Sequence, residues 1–84
     1  MPKVALDLAI IREVLAQHGS LSVHVDTLEP ESDLYDAGLT SLATVGVMLA
    51  LEDRFNVEFP ESMLRRKTFE SLESIGDAIA EIMA

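Results

Sequence analysis

Asp36-Ala37-Gly38-Leu39-Thr40-Ser41-Leu42, running on without interruption through Ala43-Thr44-Val45-Gly46-Val47-Met48-Leu49-Ala50-Leu51-Glu52-Asp53-Arg54-Phe55, is the stretch on which the fold turns. Its first part is a loop containing Gly38, and its second part reads as one amphipathic helix from about Ser41 to Phe55. Val47, Met48, Leu51 and Phe55 fall on one face at i, i+1, i+4 and i+8, a good core stripe. Leu42, Val45 and Leu49 fall on another, at i, i+3 and i+7. A bundle this small has no room to bury both, so the second stripe is expected to be exposed and to dock partners. The competing reading buries the helix all round, with Gly46 and Ala50 allowing close packing. Ser41 lies in the first turn, where backbone N–H groups lack partners and the helix dipole is positive, so a phosphate attached there is well placed.

Outward from this helix the pattern stays helical. Val4, Leu8, Ile11 and Leu15 follow a 4-3-4 spacing that predicts a first helix ending near His18-Gly19, with Gly19 taking positive φ at its C-terminus. Residues 20–40 form a long connection that Leu28, Leu34, Tyr35 and Leu39 are expected to pin to the bundle. Val23-His24-Val25 alternates like a strand but has no evident partner. Asn56 to Phe59 break the second helix, and Pro60 suits the N1 position of a short third helix through about Arg66. Ser71 resembles an N-cap with Glu73 in the first turn, and Leu72, Ile75, Ile79 and Ile82 give the last helix its inner face. The expected fold is all-α: a four-helix bundle over residues 1–84 as a single domain, three helices long and one short, with a long loop between the first two.

Composition agrees. The 84 residues suit one domain with a thin core, and 49% hydrophobic against 5% aromatic content, with no Trp, favours an aliphatic helical interior. Without Cys there are no disulfides or thiolate metal sites. The apolar stretches are too short and too charged to cross a bilayer, and no signal-peptide pattern is seen, so a cytoplasmic setting is expected. Fifteen acids against six bases give a net charge of −9. Nucleic acid and anionic lipid surfaces repel such a chain, and basic surfaces attract it. A monomer is expected.

Catalysis finds little support. His18 and His24 are distant from Ser41 in sequence, at a helix end and in a loop, and Thr40-Ser41-Leu42 lacks the glycines and strand of a nucleophile elbow. A calcium loop starting at Asp33 fails, because its third, fifth and twelfth positions are Tyr35, Ala37 and Thr44. Arg65-Arg66-Lys67 reads as a solvated basic run near the end of the third helix, with an orienting contact for one specific partner as the second reading. Met48 and Met63 read as core fillers, Met63 being the one that could line a plastic pocket. Nothing beside Ser41 activates its hydroxyl, so the residue is expected to receive a group from another enzyme.

Asp33-Leu34-Tyr35-Asp36-Ala37-Gly38-Leu39-Thr40-Ser41-Leu42, with Leu49-Ala50-Leu51-Glu52-Asp53-Arg54-Phe55-Asn56-Val57-Glu58-Phe59-Pro60, resembles the acyl carrier protein family, which includes peptidyl carrier domains. The resemblance covers roughly residues 28–82. It implies a 4′-phosphopantetheine on Ser41, transferred from coenzyme A by a phosphopantetheinyl transferase, and an acyl or aminoacyl group held on the arm as a thioester. It further implies a carrier that is no enzyme, a loading ligase and a downstream acyl-transferring enzyme. Thr40 stands where the family usually has Asp, which bears on the transferase recognised, although its hydroxyl can still cap the helix. Positions often acidic in fatty-acid carriers are Ala43, Gly46 and Arg54, so docking is expected to use Thr40, Leu42, Val45 and Leu49 with Glu52 and Asp53. The chain is also similar to small stand-alone aminoacyl carrier proteins, which are loaded by ligases related to aminoacyl-tRNA synthetases. A specialised acyl or polyketide carrier is the near rival. A small acidic helical interaction module without covalent modification is the alternative class.

Overall fold

Three α-helices carry the fold in a computed structural model that describes residues 8–84: α1 over Leu8–His18, α2 over Ser41–Phe55 and α3 over Leu72–Met83. Val4 of the first expected stripe lies outside the described residues. Three 3-10 turns complete the architecture, at Val25–Thr27, Glu61–Met63 and Arg66–Phe69, and no strand occurs among the described residues. The Val23-His24-Val25 alternation therefore forms no strand, and Val25 opens the first of these turns.

Each α-helix contributes one apolar stripe to a common centre. Ile11, Val14 and Leu15 come from α1, Val47 and Leu51 from α2, and Leu72, Ile75 and Ile79 from α3, all at most 1% exposed. Burying each of these aliphatic side chains stabilises the fold by roughly 1.5–3 kcal/mol relative to exposure. Met48, Phe55 and Ile82 pack against the same core with part of their surface in solvent. The outer stripe of α2 takes no part: Leu42 is 84% exposed, Leu49 55% and Val45 51%. An ideal Cβ on Gly46 would meet nothing within 4 Å, so this glycine is not there for close packing. The all-round burial of α2 is thereby ruled out.

The helix ends follow local chemistry. Thr40 caps α2 by accepting from the Ala43 N–H at 3.0 Å, and Asn56 ends it in the left-handed conformation at φ 54°. Ser71 and Ser74 cap the start of α3 reciprocally, side chain to backbone at 3.0 Å in both directions, with Glu73 in the first turn. At the end of α1, Gly19 donates to the Leu15 carbonyl at 2.8 Å, but the residue with positive φ is Ser20, at 52°. Gly19 is instead required by proximity, since a Cβ would lie 2.7 Å from the Leu15 oxygen.

Residues 60–66 depart from the expected short helix. Pro60 is the cap of a 3-10 turn over Glu61–Met63, Leu64 breaks the chain at ψ 65°, and a second turn begins at Arg66. Phe59 and Phe69, ten positions apart, bring their rings to 5.4 Å between centroids. One straight helix of seven residues would carry its ends about 10 Å apart. Two short turns let the chain double back and deliver both rings to the core.

The long connection between α1 and α2 is stitched from both sides. Arg12 on α1 donates one guanidinium nitrogen to the carbonyls of Val25 and Leu28, at 2.7 and 2.8 Å. On the α3 side, the Leu34 N–H donates to the Glu70 carbonyl at 2.7 Å and the Glu73 N–H to the Pro30 carbonyl at 2.9 Å. Leu28, Leu34 and Leu39 are buried and Tyr35 half-buried, so these residues pin the connection as expected.

Candidate tether site and docking face

The loop that delivers Ser41 is built residue by residue. The Asp33 carboxylate accepts from the N–H groups of Tyr35 and Asp36, at 2.9 and 3.2 Å, starting a tight turn. Gly38 ends it at φ +112°, a region that L side chains rarely enter, and a Cβ there would approach the Ser22 nitrogen to 2.9 Å. Ser22 closes the contact by donating both its N–H and its hydroxyl to the Ala37 carbonyl, at 2.9 and 2.8 Å. Leu39 is then buried, and the chain emerges at Thr40 with Ser41 as the first residue of α2.

Ser41 is exposed. Ala43 donates to the Thr40 hydroxyl and Thr44 to the Thr40 carbonyl, whereas the Ser41 and Leu42 N–H groups have no acceptor among the described residues. Two backbone donors at the positive end of a fifteen-residue helix thus remain for solvent or an anion. His18 and His24 are both exposed, and neither hydrogen-bonds Ser41 or lines the space beside it. No group of three or more metal-ligating side chains occurs among the described residues.

Beside Ser41 opens a groove of about 420 Å³, lined by Tyr35, Thr44, Val45, Met48, Leu64, Arg65, Arg66 and Phe69 together with Ser41 itself. The Arg66 guanidinium lies 3.9 Å from the centroid of the Tyr35 ring, and the Tyr35 hydroxyl donates to the Arg66 carbonyl at 2.6 Å. Burial pushes the Tyr35 phenol above its ordinary value, with Glu70 and Asp33 adding to the shift and Arg66 opposing it. The phenol therefore stays protonated at neutral pH and keeps its donor role. Arg65, Arg66 and Lys67 are all exposed, as expected of a solvated run, but they do not end a helix: they follow the break at Leu64, and Arg65 and Arg66 line the groove. Leu64 and Arg66 are groove residues that the sequence reading missed, because both come from the segment expected to be helical. Met63 packs against the core and is not among the groove residues.

The docking positions do not all share one situation. Thr40, Leu42, Val45, Leu49 and Asp53 are exposed and surround or follow Ser41 along α2. Glu52 differs: it is half-buried and its carboxylate accepts from the Phe59 N–H at 2.8 Å, which secures the turn after α2. Arg54 forms an ion pair with Glu13 of α1 at 2.8 Å, worth at most about 1 kcal/mol at such exposure.

A helical bundle offering an accessible hydroxyl at the head of its second helix, with free N–H donors and an arginine-bearing groove beside it, fits a covalently attached phosphate group. The family model for the phosphopantetheine attachment site matches residues 8–81, and the chain belongs to this family: it is a carrier protein whose cofactor is 4′-phosphopantetheine. Among relatives, it is 48% identical over 75 residues to the aminoacyl carrier protein of Agrobacterium fabrum, covering 89% of this chain and 90% of that one. Its fold matches the carrier protein from Agrobacterium tumefaciens crystallised with an engineered Bradyrhizobium japonicum glycine:[carrier protein] ligase and ATP, with a TM-score of 0.87, 48% identity and coverage of 89% and 97%. It also matches a crystal structure of the Bradyrhizobium japonicum ligase complexed with glycylated carrier protein, with a TM-score of 0.73, 30% identity and coverage of 84% and 95%.

Proposed function

We propose that Ser41 bears the 4′-phosphopantetheine and that the chain carries an amino acid on it as a thioester. The observation that carries the assignment is the exposed Ser41 hydroxyl at the first position of α2, beside two backbone N–H groups with no acceptor among the described residues. In the attachment step the Ser41 oxygen forms a bond to the phosphate that bears pantetheine. The pyrophosphate bond of coenzyme A breaks, and adenosine bisphosphate leaves with the electron pair. The hydroxyl proton needs a base, and the described residues place none beside Ser41, so the transferase supplies it together with any metal. The carrier is substrate and scaffold in this scheme, and no enzyme.

The aminoacyl assignment draws on the likeness to the Agrobacterium aminoacyl carrier protein and on the ligase complexes of similar carriers. The loading partner is then a ligase related to aminoacyl-tRNA synthetases, with glycine the first cargo to try, and a downstream acyl-transferring enzyme removes the group. The exposed stripe of Leu42, Val45 and Leu49 is the face these partners meet in turn, with Thr40 and Asp53 at its margins. No helix among the described residues is long and apolar enough to cross a membrane. We read the chain as a single monomeric carrier domain working in the cytoplasm.

Intact mass tests the attachment. Co-expression with a broad-specificity phosphopantetheinyl transferase should add one phosphopantetheine to the wild type and nothing to Ser41→Ala. Incubating the holo form with a glycine:[carrier protein] ligase, ATP and a panel of amino acids should then add one aminoacyl group, lost on hydroxylamine treatment. A wild type left unmodified by a transferase active on a control would favour an interaction module without covalent chemistry.

A further inference from the structure

Half of the chain's six bases stand side by side at Arg65, Arg66 and Lys67, in a protein that carries 15 acids. All three are exposed, and none forms an ion pair among the described residues. Ionic attraction within the fold therefore does not account for the row. Arg65 and Arg66 share a cleft with Val45, one of the exposed apolar residues of α2, and with Leu64, itself 48% exposed. Leu49, the next residue of that stripe, lines a different cleft, shared with α1, where Asp53 stands and the charge of Arg54 is taken by Glu13. The apolar stripe thus runs between a cationic flank and an acidic one. Arg66 is held 3.9 Å from the centre of the Tyr35 ring, and the Tyr35 hydroxyl ties down its carbonyl at 2.6 Å. The cationic flank is partly ordered before any partner arrives, which lowers the entropy cost of pairing.

We propose that Arg65 and Arg66 are an orienting contact for the loading ligase, pairing with carboxylates on its surface while the apolar stripe of α2 packs against it. The inference rests on the aminoacyl reading of the chain and adds the chemistry of the partner's surface. Guanidinium groups suit carboxylates, which they can pair bidentately. A partner turned the other way round sets those carboxylates against Asp53, a like-charge contact. The two flanks therefore favour one orientation, and orientation matters because Ser41 must be offered to a single active site. Phosphate-rich partners fit less well: a nucleic acid or an anionic membrane reaching the row also meets the acids that outnumber it. Lys67 provides an internal comparison. It lies outside the α2 cleft and lines one toward α3, with Asp77 and Glu81.

The test is steady-state aminoacylation of holo protein by a glycine:[carrier protein] ligase with ATP and glycine, after mass has established that every variant carries the arm. Arg65→Glu should raise KM for the carrier about fivefold or more and leave kcat within about twofold of wild type. Arg66→Gln should move KM the same way. Lys67→Glu makes the same change in net charge as Arg65→Glu and should leave both constants within about twofold. Arg65→Lys should preserve loading and, with a carbodiimide, cross-link position 65 to an Asp or Glu of the ligase. Equal effects of Arg65→Glu and Lys67→Glu would reduce the row to net charge and overturn the contact, and so would the absence of that cross-link. Retention of holo protein on phosphatidylglycerol vesicles, lost in Arg65→Glu, would assign the row to lipid and also overturn it. Holo wild type that the ligase leaves unloaded overturns the aminoacyl reading, and the contact with it.

Discussion

At the scale of single residues, Gly38 governs whether Ser41 is presented at all. Its φ of +112° and the 2.9 Å approach of any Cβ to the Ser22 nitrogen are two independent objections to a side chain. Gly38→Ala should cost about 1–3 kcal/mol, read as a lower urea midpoint with unchanged slope. A midpoint equal to wild type would mean that the loop relaxes without strain. The sequence placed Gly38 in the loop before α2 but did not reveal its positive φ or its approach to Ser22. It misplaced the left-handed residue after α1, where Ser20 and not Gly19 adopts positive φ. Ser20 carries no compositional flag for that conformation, and Gly19 is held by the nearby Leu15 carbonyl, a contact that spacing alone does not reveal.

At the scale of elements, α2 separates an inner from an outer apolar stripe, and the two should respond differently to charge. Leu49→Glu places a carboxylate at a position 55% exposed, so stability should change by no more than about 0.5 kcal/mol in thermal unfolding. Affinity for the loading ligase should fall about tenfold, the equivalent of about 1.4 kcal/mol, in a calorimetric titration. A large loss of stability would mean that Leu49 packs inward. Both helices that flank the groove segment were readable, because α2 and α3 carry hydroxyl caps and stripes at helical spacing. The segment between them was not. Its residues have ordinary helical propensity, and what divides it is tertiary: the meeting of Phe59 with Phe69, and the Tyr35 hydroxyl reaching the Arg66 carbonyl 31 residues away. The groove inherits that illegibility, since Leu64, Arg65 and Arg66 all come from this segment.

At the scale of the whole molecule, a charge of −9 is spread over a body with a radius of gyration of 11.6 Å. Self-repulsion at such distances acts against the folded state and is screened by salt, the Debye length falling from about 30 Å at 0.01 M to about 10 Å at 0.1 M. The melting temperature should therefore rise across this range, each 1 kcal/mol regained being worth roughly 4–8 °C for a domain of this size. Differential scanning calorimetry at several NaCl concentrations would check it, and a falling melting temperature would mean that attractive pairs dominate. The same charge is unevenly arranged. Arg12 is occupied with loop carbonyls and Arg54 with Glu13, whereas Arg65, Arg66 and Lys67 stand in a row. An approaching basic enzyme is repelled by these three cations and attracted by the acids. A basic surface is therefore held off where these cations lie and drawn toward the acids that outnumber them elsewhere.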